Sequence, residues 1–243
     1  MNTWLITGAS SGIGKATVEL ARNAGDRVYA LDINEAAGAA LAEETGAEFI
    51  KCDVSSPEDW VNVASHIEAP NRVHLNAGIQ IAPPSAPLAE YQFDAMQHDR
   101  YRKMMGVNVD GVVFGLEALL PMIEAGSAIV VTASLAGVVP YSIDPLYSMS
   151  KHAVVGLVRS LGPTLAERDV RINALCPGGI DTGIIPEAQR TEEAVFMTPE
   201  ALAQEVDFLM TTKETGKTWA KVAEHKPVFI IRAPGDKGDK GNQ

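Results

Sequence analysis

Short apolar runs rich in β-branched residues alternate with stretches of helical spacing along the whole chain, and this alternation limits the fold more than any other feature. Strand-like runs fall at residues 4–7, 27–31, 47–51, 73–76, 128–132, 171–175 and 228–231. Helical spacing covers 15–23, 35–44, 58–67, 101–123, 147–161 and 200–210. Strands joined through helices lie parallel, and the helices must cover both faces of the sheet. The expected class is α/β, one domain over residues 1–243, with a doubly wound parallel sheet of about seven strands. No linker, repeat or interior low-complexity stretch breaks the pattern. The tail, 235–243, is compositionally loose and expected to be flexible.

Two irregular stretches, 79–97 and 183–198, follow strands and therefore fall beyond strand carboxyl ends, where open α/β sheets bind ligands. The second is the expected substrate-loop region.

Composition excludes several function classes. A net charge of −11 argues against nucleic acid and anionic membranes as partners. No apolar run approaches the roughly 20 residues needed to cross a bilayer. The chain enters its first strand without a basic region or cleavage site, so no signal peptide is expected and the reading is cytoplasmic. Cys52 and Cys176 lie far apart without metal-ligand spacing and read as buried free thiols. His66, His74, His98, His152 and His225 are scattered, and no metal site is expected. The basic cluster Arg100–Lys103 reads as a solvated helix face.

After the first strand comes Thr7-Gly-Ala-Ser-Ser-Gly-Ile-Gly14, running into a helix. Glycines here let the backbone turn tightly and approach a pyrophosphate, whose charge the helix N-terminus favours. The second strand ends at Leu31-Asp32, 18 residues past Gly14. A carboxylate there accepts hydrogen bonds from adenosine ribose hydroxyls and repels a 2′-phosphate. Ser11 and Ile33, the neighbours where a basic side chain would neutralise such a phosphate, are uncharged. The expected cofactor is NAD, held in part by Gly8, Ser10, Ser11, Gly12, Ile13, Gly14, Asp32 and Ile33, on a Rossmann-type fold.

Tyr147 and Lys151, four residues apart, share one helix face. A cation beside a phenol is expected to pull its pKa down from about 10 toward the range of a general acid/base. Ser134, thirteen residues upstream of Tyr147, supplies a hydroxyl that could hold a substrate oxygen against the phenol. Ser148 and Ser150 are expected to point away from this face. Asp144-Pro145 reads as an N-cap followed by Pro at the first helical position. Gly162-Pro163 is expected to kink or end the same helix.

With these residues in view, the chain resembles the short-chain dehydrogenase/reductase family over residues 1–182. The resemblance rests on six motifs in order: Thr7–Gly14, Asp53-Val54, Asn76-Ala77-Gly78, Asn108, Ser134 with Tyr147-x-x-x-Lys151, and Pro177-Gly178-Gly-Ile180-Asp-Thr182. It implies a catalytic tetrad of Asn108, Ser134, Tyr147 and Lys151, with Asn108 at a kink that frees a backbone carbonyl. It implies that Asp53 and Val54 hold the adenine and that Asn76, Ala77 and Gly78 pass close to the cofactor. Lys151 would hold the nicotinamide ribose beside Tyr147. Pro177, Gly178, Ile180 and Thr182 would meet the carboxamide end. It also implies a homodimer or homotetramer through the long helices. The sequence departs from the family pattern beyond Thr182.

The expected reaction is hydride transfer between NAD(H) and a secondary alcohol or ketone with a hydrophobic, medium-sized body. The alternatives are a 3-oxoacyl thioester or other ketone reductase and, from another class, an NAD-sensing regulator on the same fold. Candidate pocket residues are Ile79, Ile81, Leu135, Val138, Ile184, Ile185, Phe196 and Met197.

Overall fold

A computed structural model describes residues 1–83, 85, 93–183 and 196–232. The β-branched runs become β1 (Thr3–Thr7), β2 (Arg27–Asp32), β3 (Glu48–Lys51), β4 (Arg72–Leu75), β5 (Ala128–Thr132), β6 (Arg171–Pro177), β7 (Thr218–Lys221) and β8 (Phe229–Ile231). Helices α1 (Gly12–Asn23), α2 (Glu35–Thr45), α3 (Pro57–His66), α4 (His98–Met105), α5 (Gly111–Leu119), α6 (Pro145–Ala166) and α7 (Pro199–Thr211) connect them. A π-helical turn over Gly106–Asp110 joins α4 to α5.

The sheet has eight strands in the order β3-β2-β1-β4-β5-β6-β7-β8. All neighbours pair parallel except β7 with β8, which pair antiparallel. The order reverses between β1 and β4, so a crevice opens beyond their carboxyl ends.

Every residue of β5 is buried, and its alternate side chains feed two cores. Ile129 and Val131 join Trp60 of α3, Leu116 of α5 and Val158 of α6 on one face. Ala128 and Val130 join Val18 of α1 and Val206 of α7 on the other. The two cores hold the central strand ends rigidly in place.

Three expectations need correction. The strand β7 was not foreseen: Thr-Trp-Ala-Lys offers no apolar alternation, yet all four residues are buried. Lys221 tolerates burial because Glu205 pairs with its ammonium and the Lys226 carbonyl accepts a further bond. The strand at Phe229–Ile231, foreseen as part of a parallel sheet, is an antiparallel edge. Gly162-Pro163 does not end α6, which continues to Ala166. Pro163 sits in the last turn of the helix and removes one backbone bond, that to the Arg159 carbonyl, and the helix continues for three further residues. Gly162 lets Gly216 pack against it, since a Cβ there would lie 2.3 Å from the Gly216 Cα. Residues 184–195 and 233–243, which hold most of the expected substrate loop and the tail, lie outside the described residues.

Candidate active site

A cavity of about 710 Å³ occupies the crevice. It is lined by the glycine loop (Gly8, Ser11, Gly12, Ile13), the Asn76–Gln80 turn, the end of β5 with Ser134–Ala136, Tyr147, Lys151 and the Pro177–Thr182 turn.

The glycine loop is shaped by backbone contact. Gly8 and Gly12 have φ of +62° and +51°, a region that favours glycine. A Cβ on Gly14 would lie 2.0 Å from the Gly8 carbonyl oxygen. A methyl group there must displace the loop, because the obstacle is backbone. Gly14→Ala is expected to weaken dinucleotide binding by about tenfold or more, measured by calorimetric titration. Unchanged affinity would show that the loop does not cradle the ligand.

Asp32 stands at the end of β2, where its carboxylate accepts from the Ser10 and Asn34 amides, each at 2.9 Å. These bonds fix its orientation beside the loop, while exposed Ile33 follows it. Asp53 is held differently: its Oδ1 accepts from the Ser55 amide at 2.9 Å and the Ser55 hydroxyl at 2.6 Å. Val54 is buried in the core against Trp60, whose indole donates to the Val54 carbonyl. Asp53, Val54, Asp32 and Ile33 are not part of the cavity wall.

Asn76 and Ala77 close the end of β4 by donating both amides to Thr7 Oγ1, at 2.8 and 3.0 Å. The Asn76 amide nitrogen reaches back to the Thr7 carbonyl at 3.2 Å, and its oxygen accepts from Thr132 Oγ1 at 3.1 Å. Gly78 leaves room for Lys151, since a Cβ there would lie 3.2 Å from Nζ.

The four expected catalytic residues converge from three elements. Asn108 lies in the π-helical turn, a local irregularity of the kind often found at functional sites. Its side chain bridges the Ile79 backbone, accepting at 2.8 Å and donating at 2.9 Å. Asp144 caps α6 by accepting from the Tyr147 amide at 2.8 Å, which places Tyr147 in the first turn. The Ser134 hydroxyl, which accepts from the Ala136 amide at 3.1 Å, acts on the Tyr147 hydroxyl to lower its pKa, and the Tyr147 ring meets Tyr141 edge-on at 6.3 Å. Lys151 is buried, with Nζ 5.7 Å from the Tyr147 ring centroid and donating to the Thr132 carbonyl at 3.0 Å.

Electrostatics here differ from the expectation. Burial pushes the Tyr147 phenol above its ordinary pKa, and the Ser134 hydrogen bond offsets only part of that rise. Burial also lowers Lys151, to about 8. Desolvation acts on both groups at once and outweighs their attraction.

Ser148 and Ser150 turn away from the Tyr147/Lys151 face as expected, yet both brace the site. Ser150 accepts from Asn108 Nδ2 at 3.1 Å and donates to the Tyr147 carbonyl at 2.7 Å. Ser148 donates to the Ala136 carbonyl at 2.7 Å. Buried His74 was not singled out, but its Nε2 lies 2.8 Å from Thr132 Oγ1. Of the expected pocket residues, Ile79, Leu135 and Phe196 line the cavity. Ile81 and Met197 are buried in core clusters, and Val138 packs against the core. Ile184 and Ile185 lie outside the described residues. Arg100 and Lys103, expected to face solvent, also border the cavity, Lys103 from an exposed and Arg100 from a half-buried position, and Gln80 and Tyr141 border it too. No group of three or more His, Cys, Asp or Glu capable of holding a metal occurs among the described residues.

The model of the short chain dehydrogenase family matches residues 2–193. The chain belongs to that family. A 2,5-dichloro-2,5-cyclohexadiene-1,4-diol dehydrogenase of Sphingobium indicum is 37% identical over 193 residues, 76% of this chain and 75% of the relative. A cyclohexanol dehydrogenase of an Acinetobacter species is 32% identical over 224 residues, 85% of this chain and 86% of the relative. Among solved structures, a short-chain dehydrogenase/reductase described as a glucose/ribitol dehydrogenase from Brucella melitensis superposes with a TM-score of 0.82 at 26% identity. That match covers 91% of this chain and 95% of the other. The oxidoreductase class follows from these matches, together with a nucleotide-binding fold.

Proposed function

We propose that this short-chain dehydrogenase transfers hydride between NAD(H) and a secondary alcohol or ketone, with Tyr147 as general acid/base. The observation that carries the reading is the convergence of Ser134, Tyr147 and Lys151 on the wall that continues into the glycine loop, with buried Asn108 behind that wall on the Ile79 backbone.

The cavity fits a dinucleotide because Gly8, Gly12 and Gly14 let backbone approach backbone where a side chain would fill the cradle. The nicotinamide, when bound, supplies the site that accepts or donates hydride. Asp32 binds the adenosine ribose hydroxyls, Asp53 and Val54 the adenine, and Ile180 and Thr182 the carboxamide end. Among the described residues the Lys151 ammonium donates to the Thr132 carbonyl alone, leaving protons to hold ribose hydroxyls. Ser134 and Tyr147 share the substrate oxygen, which aims the carbinol carbon. In the reduction direction the Tyr147 phenol, kept protonated by burial, gives its proton to the new alkoxide oxygen. In the oxidation direction Tyr147 takes the hydroxyl proton as phenolate, a form that the Lys151 charge favours. Asn108 and Ser150 hold the helix turn behind these groups in register.

The apolar wall of Ile79, Leu135, Val139 and Phe196 suits a hydrophobic substrate body. Association with a second copy would run through α5 and α6, where Val113 and Met149 are exposed.

Cofactor choice is tested by comparing kcat/KM for NAD and NADP. The wild type is expected to prefer NAD by at least about tenfold, because the Asp32 carboxylate repels a 2′-phosphate. Asp32→Ala is expected to erase that preference. Equal use of both cofactors by the wild type would contradict the assignment. Reduced-cofactor formation across a panel of secondary alcohols tests the reaction itself, and absence of turnover on every alcohol and ketone would favour a sensor.

A further inference from the structure

We infer that the substrate carries an oxyanion, a carboxylate or a phosphate, which Arg100 and Lys103 bind at the cavity wall. The inference rests on the dehydrogenase reading and narrows its substrate class.

The two residues lie three apart on α4, so their side chains leave the same helix face. Both border the cavity. The Arg100 Nε–H donates to the Ile81 carbonyl at 3.0 Å, which holds the guanidinium at the wall. Its terminal nitrogens remain, and they present two parallel N–H groups suited to a bidentate oxyanion. Among the described residues, no carboxylate forms an ion pair with Arg100 or Lys103. Much of the nearby lining is apolar: Ile79, Ala82, Pro83, Leu135 and Val139. Beside such low-dielectric walls, two cations of one sign attract an anion more strongly than the same pair in open water. An amphiphilic molecule, with an apolar body bearing the carbinol and one anionic group, uses both parts of this wall.

The test is the ratio of kcat/KM for a hydroxy carboxylate to that for its methyl ester, with a phosphate-bearing alcohol of the same skeleton alongside. The wild type is expected to favour an anionic member over the ester by about tenfold or more at low salt, with added salt reducing the margin. Arg100→Gln should lower that ratio by about tenfold, and Arg100→Lys should keep part of it. Lys103→Gln, at an exposed position where folding is not at stake, should lower the ratio by about threefold. Preference for the carboxylate or for the phosphate identifies the source of the oxyanion. A wild-type ratio near unity, or a ratio unchanged in both Gln variants, overturns the inference. Turnover of the ester and other neutral alcohols with no gain for the anions removes this inference alone. No turnover on any alcohol or ketone removes the dehydrogenase reading and this inference with it.

Discussion

Tyr147→Phe is expected to lower kcat by at least about two orders of magnitude, because it removes the proton-transferring oxygen and little else. The ring is buried and packs edge-on against Tyr141, contacts that phenylalanine retains. The α6 cap runs through the residue's backbone amide and Asp144, so helix geometry survives. A thermal midpoint close to wild type together with the kinetic loss would separate chemistry from folding. The pH dependence has a definite sign. Burial raises the phenol pKa, so phenolate is scarce near neutrality and alcohol oxidation should accelerate as pH rises. Ketone reduction needs the phenol and should be flat over the same range. Retention of activity by Tyr147→Phe would remove Tyr147 from the reaction.

The second large effect concerns His74. It is fully buried on β4, and burial drives its pKa down to about 3. Thr132 gives its hydroxyl proton to Asn76 Oδ1, so it accepts from His74 Nε2–H. Nδ1 then carries a lone pair with no partner among the described residues. The unfolded chain takes up a proton below the ordinary histidine pKa of about 6.5, whereas the folded protein does not until about 3. Stability contributed by neutral His74 is therefore complete above about pH 6.5 and is lost as pH falls toward 3. The slope is about 1.4 kcal/mol per pH unit, so the cost from pH 6.5 to pH 5 is about 2 kcal/mol. The whole window amounts to about 5 kcal/mol, a large share of a typical stability of about 5–15 kcal/mol. Urea unfolding at pH 7 and pH 5 measures it: His74→Gln, which keeps a donor for Thr132, should lose about 2 kcal/mol less than wild type. Equal losses would place the acid sensitivity elsewhere.

The fold was legible because strand and helix periodicities persist from β1 to α7, and the glycine loop fixes where the ligand crevice opens. The site was legible where short spacing carries the chemistry, as in Tyr147 and Lys151 on one helix face and Asp144 at its cap. Other features depend on tertiary placement. Arg100 and Lys103 look like a solvated surface until α4 lies along the cavity, and Ser150 looks idle until the π-helical turn brings Asn108 to it. The fall expected for the Tyr147 pKa assumed a charge effect in water-like surroundings. Burial of both Tyr147 and Lys151 reverses its sign. Strand β7 escaped notice because its buried lysine is neutralised by Glu205 on α7, a partner 16 residues earlier.

The most direct test of hydride transfer uses the best secondary alcohol of the panel, deuterated at its carbinol carbon. Incubation with NAD should give reduced cofactor carrying one deuterium on a single face of the ring, with none exchanged to solvent, and Tyr147→Phe should abolish the label. Reduced cofactor without deuterium, or no reduction by any alcohol while NAD binds, would contradict hydride transfer.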